Sequence, residues 1–127
     1  MYKYAKSSLT YLKKVHPDLR AVMMRAKEKA EIDFDVSCGW RSAEDQMKAF
    51  KAGKSQLDGI HYKSKHNYLP ALAVDIYAYN GAKADYSAQK MKYLATIIKE
   101  SARELNIEIE CGIDWESFPD APHYELV

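Results

Sequence analysis

Three residues of metal-ligating type stand where the chain changes character. His66 closes a polar stretch just before an apolar run. Asp75 interrupts that run, ALAVDIYAY, between Ala71 and Tyr79. His123 follows Asp120-Ala121-Pro122 and opens the final segment, HYELV. Two imidazoles and one carboxylate are an ordinary catalytic zinc set, with a fourth position open to water. A cation would also make a carboxylate tolerable in an apolar strand, where an uncompensated charge is costly. The other environment open to Asp75 is an arginine partner or a set of backbone amides. His66 and Asp75 lie nine positions apart with Pro70 between them, so no helical register links them, and spacing leaves both readings open.

Two further residues fit a hydrolytic centre. Asp120 lies three residues before His123 in a turn bracketed by Pro119 and Pro122. From there a carboxylate can take a proton from water and return it to a leaving amine; the plainer role is that of a turn residue. Arg41 follows Gly39-Trp40 at a strand-to-helix junction. Its guanidinium can hold a carboxylate or a developing oxyanion, or simply pair with a nearby acid. Ser64 can support a ligand or shape its loop. Trp115 and Tyr124 can line a groove or pack in the core. His16, beside Pro17, suits a surface or capping role, and His61 has no pattern around it. Cys38 and Cys111 are too far apart for a metal knuckle and read as buried free thiols.

The elements that must position these residues follow from pattern. Asp18 is placed to cap a helix to about Ala30, with Leu19, Val22, Met23 and Ala26 on one face. Residues before His16 read as a polar lead-in. Ile32 to Cys38 alternates as a strand ended by Gly39. Ser42 to Asp45 resembles a capping box opening a helix to about Lys51, stopped by Gly53. Residues 54–70 read as a long loop, Ala71 to Tyr79 as a strand, and Asn80-Gly81 as a turn. Tyr86 to Leu105 carries a helical stripe of Met91, Leu94, Ile98, Ala102 and Leu105. Short strands follow at Ile107 to Cys111 and His123 to Val127. Three helices and few strands without regular alternation indicate an α+β domain with a small, mainly antiparallel sheet and flanking helices.

The 127 residues suit a single domain with a core of its own, and 47% apolar with 29% charged residues is an ordinary globular balance. A formal charge of +1 gives no long nucleic-acid footprint. Lysines gather at Lys3 to Lys14 and Lys48 to Lys65, where solvated surface is the simple reading. The basic N-terminus lacks a signal-peptide core, and no run reaches transmembrane length.

The blocks SKH (Ser64–His66), AVD (Ala73–Asp75) and DAPHYEL (Asp120–Leu126) together resemble the zinc D-alanyl-D-alanine carboxypeptidase and L-alanyl-D-glutamate endopeptidase superfamily, in particular its phage endolysin branch. CGWRSAEDQ (Cys38–Gln46), GKSQLDG (Gly53–Gly59), GIDW (Gly112–Trp115) and HPDL (His16–Leu19) are similar to that branch as well, so the resemblance covers roughly residues 12–127. It implies a zinc DD-peptidase (hedgehog-like) fold and one zinc ion held by His66, Asp75 and His123. It implies Asp120 as general base, Arg41 on the tetrahedral intermediate, and Gln46, Ser64 and Trp115 around the substrate. The implied substrate is a peptidoglycan stem peptide, cut between L-alanine and D-glutamate. The alternatives are a D-alanyl-D-alanine carboxypeptidase or a non-catalytic zinc-containing module. A phage lysin of this kind is expected to be a monomer without a wall-binding domain, made in the host cytoplasm without a signal peptide. It would bind neither nucleic acid nor membrane stably, and would reach the wall after a holin-type partner opens the bilayer. The sequence departs from the common pattern in the HNYLPALAVD loop, which is two residues longer than in many relatives, and at Ile113, where a second glycine is frequent.

Overall fold

The computed structural model describes residues 2–59 and 63–127; His61 lies outside them. Five strands, β1 (Phe34–Cys38), β2 (Ala73–Asn80), β3 (Lys83–Asp85), β4 (Ile109–Cys111) and β5 (His123–Leu126), form an antiparallel sheet. Its order is β1-β2-β5-β4, with β3 also paired to β2. Four helices accompany it: α1 (Lys6–Leu12), α2 (Pro17–Lys29), α3 (Ala43–Lys51) and α4 (Ala88–Glu104). The expected α+β class is correct.

Alternation along β2 sorts the two faces of the sheet. Val74, Ile76 and Ala78 are fully buried, and with Phe34, Val36 and Tyr124 they meet Leu19, Val22 and Met23 of α2 and Met91, Leu94 and Ile98 of α4. Each large aliphatic side chain so buried stabilises the fold by roughly 1.5–3 kcal/mol. The intervening residues Asp75, Tyr77 and Tyr79 belong to the opposite face. Pairing adds His123 opposite Asp75, and Asp35 opposite Tyr77. Register shifts between Val36 and Cys38, so that Cys38 rather than Ser37 faces Asp75. One face of the sheet is thus core and the other carries the chemistry.

Four expectations need correction. The lead-in is not irregular, because α1 packs there with Leu12 and Ser8 buried. Arg20 closes its end by donating from Nε to the Leu12 carbonyl at 2.9 Å and from Nη2 to that of Val15 at 3.0 Å. The cap of α2 is His16, whose Nδ1 accepts from the Asp18 amide at 3.1 Å; Asp18 sits inside the first turn. Beyond the Asn80-Gly81 turn the chain forms β3, a polar three-residue edge strand. Leu105, expected in the helical stripe, follows α4 and is exposed, whereas the rest of the stripe is buried. The lysines from Lys3 to Lys14 are solvated.

Candidate active site

His66 is presented by a one-turn 3₁₀ helix, Lys65–Asn67. Ser64 Oγ accepts from the His66 amide at 3.2 Å, and Asn67 Oδ1 accepts from the Ser64 amide at 2.9 Å, which closes a reciprocal cap. The turn is stitched to the strand-to-helix junction. The Arg41 amide donates to the His66 carbonyl at 2.8 Å, and Asn67 Nδ2 donates to the Arg41 carbonyl at 2.9 Å. Arg41 and the His66 turn, 25 positions apart in sequence, are therefore held together by two hydrogen bonds. His123 and Asp75 are fixed more simply, as direct partners across β2 and β5.

The three expected ligands converge on one carboxylate oxygen. Asp75 Oδ1 lies 3.3 Å from His66 Nε2 and 3.1 Å from His123 Nδ1. The outer nitrogens are anchored elsewhere. His66 Nδ1 sits 2.7 Å from the Gly39 carbonyl, and His123 Nε2 sits 2.8 Å from Glu125 Oε1. Each of those partners can accept a hydrogen bond from the ring N–H, so each inner nitrogen can present a lone pair toward Asp75. His66 Nε2 is buried and has no hydrogen-bond partner, because the Asp75 oxygen is close without the direction of a hydrogen bond.

The two edges at Asp75 fit a metal ion. Zn–N bonds of 2.0–2.1 Å in a tetrahedron imply ligand-to-ligand edges of about 3.3 Å, close to both separations at Asp75. Two overlapping groups of potential ligand atoms each lie within 4.8 Å: Cys38, His66 and Asp75, and Asp75, Asp120 and His123. Asp75 is common to both, and the two histidines flank it from opposite groups. Without a cation the histidines must carry the compensating charge. Burial alone lowers both, but Asp75, with Cys38 beside His66 and Glu125 beside His123, lifts them to about 10 and about 9. Burial raises the Asp75 carboxyl, and the two imidazoles overcome that and hold it below the usual carboxylate range.

Asp120 completes the second group. Its amide donates to the Gly112 carbonyl at 2.9 Å, and its carbonyl accepts from the His123 amide at 3.0 Å. A Cβ at Gly112 would lie 2.1 Å from the Asp120 carbonyl oxygen, so only glycine permits this approach. The turn thus ties Asp120 both to Gly112, which follows β4, and to His123. Burial, then the neighbouring Asp75 charge, raises its carboxyl above the ordinary range, against the pull of His123, His66 and Arg41.

Arg41 Nη2 lies 3.7 Å from Asp75 Oδ2, while Nη1 donates to Gln46 Oε1 at 2.9 Å. Gln46, expected beside the substrate, is instead fully buried. Its Nε2 donates to Ser55 Oγ at 2.8 Å and to the Leu57 carbonyl at 2.7 Å, so its amide steadies Arg41 and the following loop. Ser64 and Trp115 both line the cleft of about 510 Å³ that also contains Arg41, His66, Asp75, Asp120 and His123. The Trp115 ring is centred 5.1 Å from that of His123. Tyr124 turns away into the core. A groove of about 620 Å³ along α4 and β4 shares Trp115 but carries no histidine.

Sequence reasoning passed over Glu125 as a site residue, although it belongs to the DAPHYEL block. The available signal was its spacing, since positions i and i+2 of a strand share a face, which puts its carboxylate beside His123. Gly39, which the sequence marks only as a strand terminator, anchors His66 through its carbonyl.

The architecture is that of the zinc DD-peptidase-like fold. The chain belongs to the phage L-alanyl-D-glutamate peptidase family, whose sequence model matches residues 1–127. It is similar to the crystal structure of the Serratia marcescens L-Ala D-Glu endopeptidase ChiX, with 31% identity and a TM-score of 0.84 over 98% of this chain and 90% of that one. A vancomycin-resistance D,D-dipeptidase, VanXYg, solved with a D-Ala-D-Ala phosphinate analogue, shares the fold at 16% identity and a TM-score of 0.56. That match covers 89% of this chain and 50% of the dipeptidase.

Proposed function

We propose that this chain hydrolyses the L-alanyl-D-glutamate bond of peptidoglycan stem peptides with one zinc ion held by His66, Asp75 and His123. The observation that carries the reading is the buried, unpartnered His66 Nε2 facing Asp75 beside His123, in a cleft shared with Asp120 and Arg41. When bound, zinc supplies Lewis acidity at the scissile carbonyl and makes water a better nucleophile.

The protein's own groups do the rest. Gly39 and Glu125 hold the imidazoles in the tautomers that ligation requires. Asp120 accepts the proton of the attacking water and delivers it to the departing amine of the glutamyl residue, which suits a carboxylate kept beside the reacting atoms by its turn. Arg41, steadied by Gln46, faces the carbonyl oxygen as negative charge develops there. Trp115 forms a wall of the cleft beside His123, and Ser64 lines it while holding the His66 turn.

Mass spectrometry of purified sacculi digested by the zinc-loaded protein tests this reading. New N-terminal D-glutamate is the expected product. Release of free D-alanine would replace the reading with a carboxypeptidase, and intact sacculi would point to a binding module. Among the described residues no helix is long and apolar enough to cross a membrane. The reading extends to a monomeric lysin that reaches the wall through a separate holin-type partner.

A further inference from the structure

The cleft is lined by four cations, of which two are already engaged. Arg41 faces Asp75, and Lys65 Nζ lies 3.5 Å from Glu125 Oε2. Lys54 and Lys63 are both exposed, both line the cleft, and among the described residues neither forms an ion pair. Lys63 is not loose, however. Its Nζ lies 4.3 Å from the centre of the Tyr68 ring, close enough for a cation–π contact. Tyr68 belongs to the NYLPA segment, the loop that lengthens the His66–Asp75 spacing.

The substrate explains why free cations belong there. A glutamyl residue has two carboxyl groups, and only one can carry the peptide onward. When the amine of that residue is the leaving group, the other carboxyl is a free anion a few bonds from the scissile nitrogen. The cleft already holds Asp75, Asp120 and Glu125, so an incoming anion needs cations not consumed by those three.

We propose that Lys54 and Lys63 form the subsite that binds the free carboxylate of the glutamyl residue, with Tyr68 holding Lys63 in position. This rests on the cleft being the active site. It turns the longer loop into a specificity element, since the loop supplies the ring under Lys63. Lysine acts here as a point charge on a partly solvated anion, so the discrimination is modest rather than absolute.

The test compares two synthetic peptides that share the L-alanyl-D-glutamyl bond and differ only in the free glutamyl carboxyl, left as carboxylate or capped as carboxamide. The ratio of their kcat/KM values is measured for zinc-loaded wild type, Lys54→Gln, Lys63→Gln, the double variant and Lys63→Arg at one ionic strength. Wild type should favour the carboxylate by about tenfold. The ratio should fall part way in each single glutamine variant, approach unity in the double variant, and be retained by Lys63→Arg. Because both side chains are exposed, all four variants should keep the wild-type zinc content. A wild-type ratio near unity, or a double variant with the wild-type ratio, overturns the subsite while leaving the active-site reading intact. A His66→Ala protein that cuts both peptides at the wild-type rate overturns the active-site reading itself, and the subsite with it.

Discussion

Two aspartates on neighbouring strands, on the same face of one sheet, are kept ionised in opposite ways. Asp35 on β1 is 3% exposed and is surrounded by neutral donors. It accepts from the Ala5 amide at 2.8 Å, from Ser8 Oγ at 2.5 Å and, through its other oxygen, from Tyr79 OH at 2.5 Å. Asp75 on β2 has a side chain 19% exposed to the cleft and is surrounded by basic groups: two imidazoles and the Arg41 guanidinium. The donors around Asp35 are neutral, and those from Ala5 and Ser8 fasten α1 to the sheet. The imidazoles around Asp75 are anchored from outside and point their inner nitrogens at it. A carboxylate satisfied by hydroxyls and an amide is a structural rivet. One ringed by anchored imidazoles is arranged as the proposed cation site requires.

Exchanging the roles should expose the difference. Asp75→Ala is expected to have the largest effect on activity, reducing hydrolysis of sacculi to background and removing zinc. Its fold should persist by circular dichroism, because the core lies on the other face. Asp120→Asn should come next, losing about 10²–10⁴ in kcat, the usual range for a general acid–base group, while zinc stays bound. Retention of the wild-type rate would remove Asp120 from the mechanism. Glu125→Gln should weaken zinc binding by about 10–100-fold in a competition titration, because it loosens the His123 tautomer without deleting a ligand.

At Asp35 the readout is stability. Asp35→Ala leaves the Ser8 and Tyr79 hydroxyls and the Ala5 amide without their acceptor and should cost about 3 kcal/mol in urea unfolding, with zinc content unchanged. A pH series sharpens the point. Burial raises the Asp35 carboxyl, but the Ser8, Tyr79 and Ala5 bonds, helped by Lys27, bring it below its ordinary value. Its stabilising contribution is therefore present above the unfolded pKa of about 3.9 and is lost as pH falls through the lower folded value. Wild type should lose stability across that acid window, and Asp35→Asn should lose less. Equal slopes would mean that Asp35 is not what fastens α1.

The same pair shows what the sequence could disclose. Asp75 drew notice because an acid in ALAVDIYAY is anomalous, and the His66 and His123 blocks supplied its partners. Asp35 sits in IDFDVSC, where alternation makes an acid look like an ordinary solvent-facing residue. Its burial depends on α1, which was itself illegible. That helix is seven residues long, and one of its two buried residues is Ser8, a polar side chain that is buried because Asp35 accepts from it. Each hides the other until tertiary structure brings them together. Edge strand β3 was missed for a related reason: its KAD sequence has no strand character, and pairing with β2 through the Asn80-Gly81 turn creates it. The roles of Gln46 and Glu125 were obscured at the next level, since a motif names residues but does not say which ones touch substrate and which hold others in place.

The central claim is that His66, Asp75 and His123 hold zinc, and metal content tests it most directly. Zinc per chain should be determined by elemental mass spectrometry on wild type, His66→Ala, Asp75→Ala, His123→Ala and Asp35→Asn purified without chelators. The account predicts about one zinc per chain in wild type and Asp35→Asn, and near none in the three ligand variants. Active wild-type protein without zinc, or full zinc occupancy in the ligand variants, would contradict it.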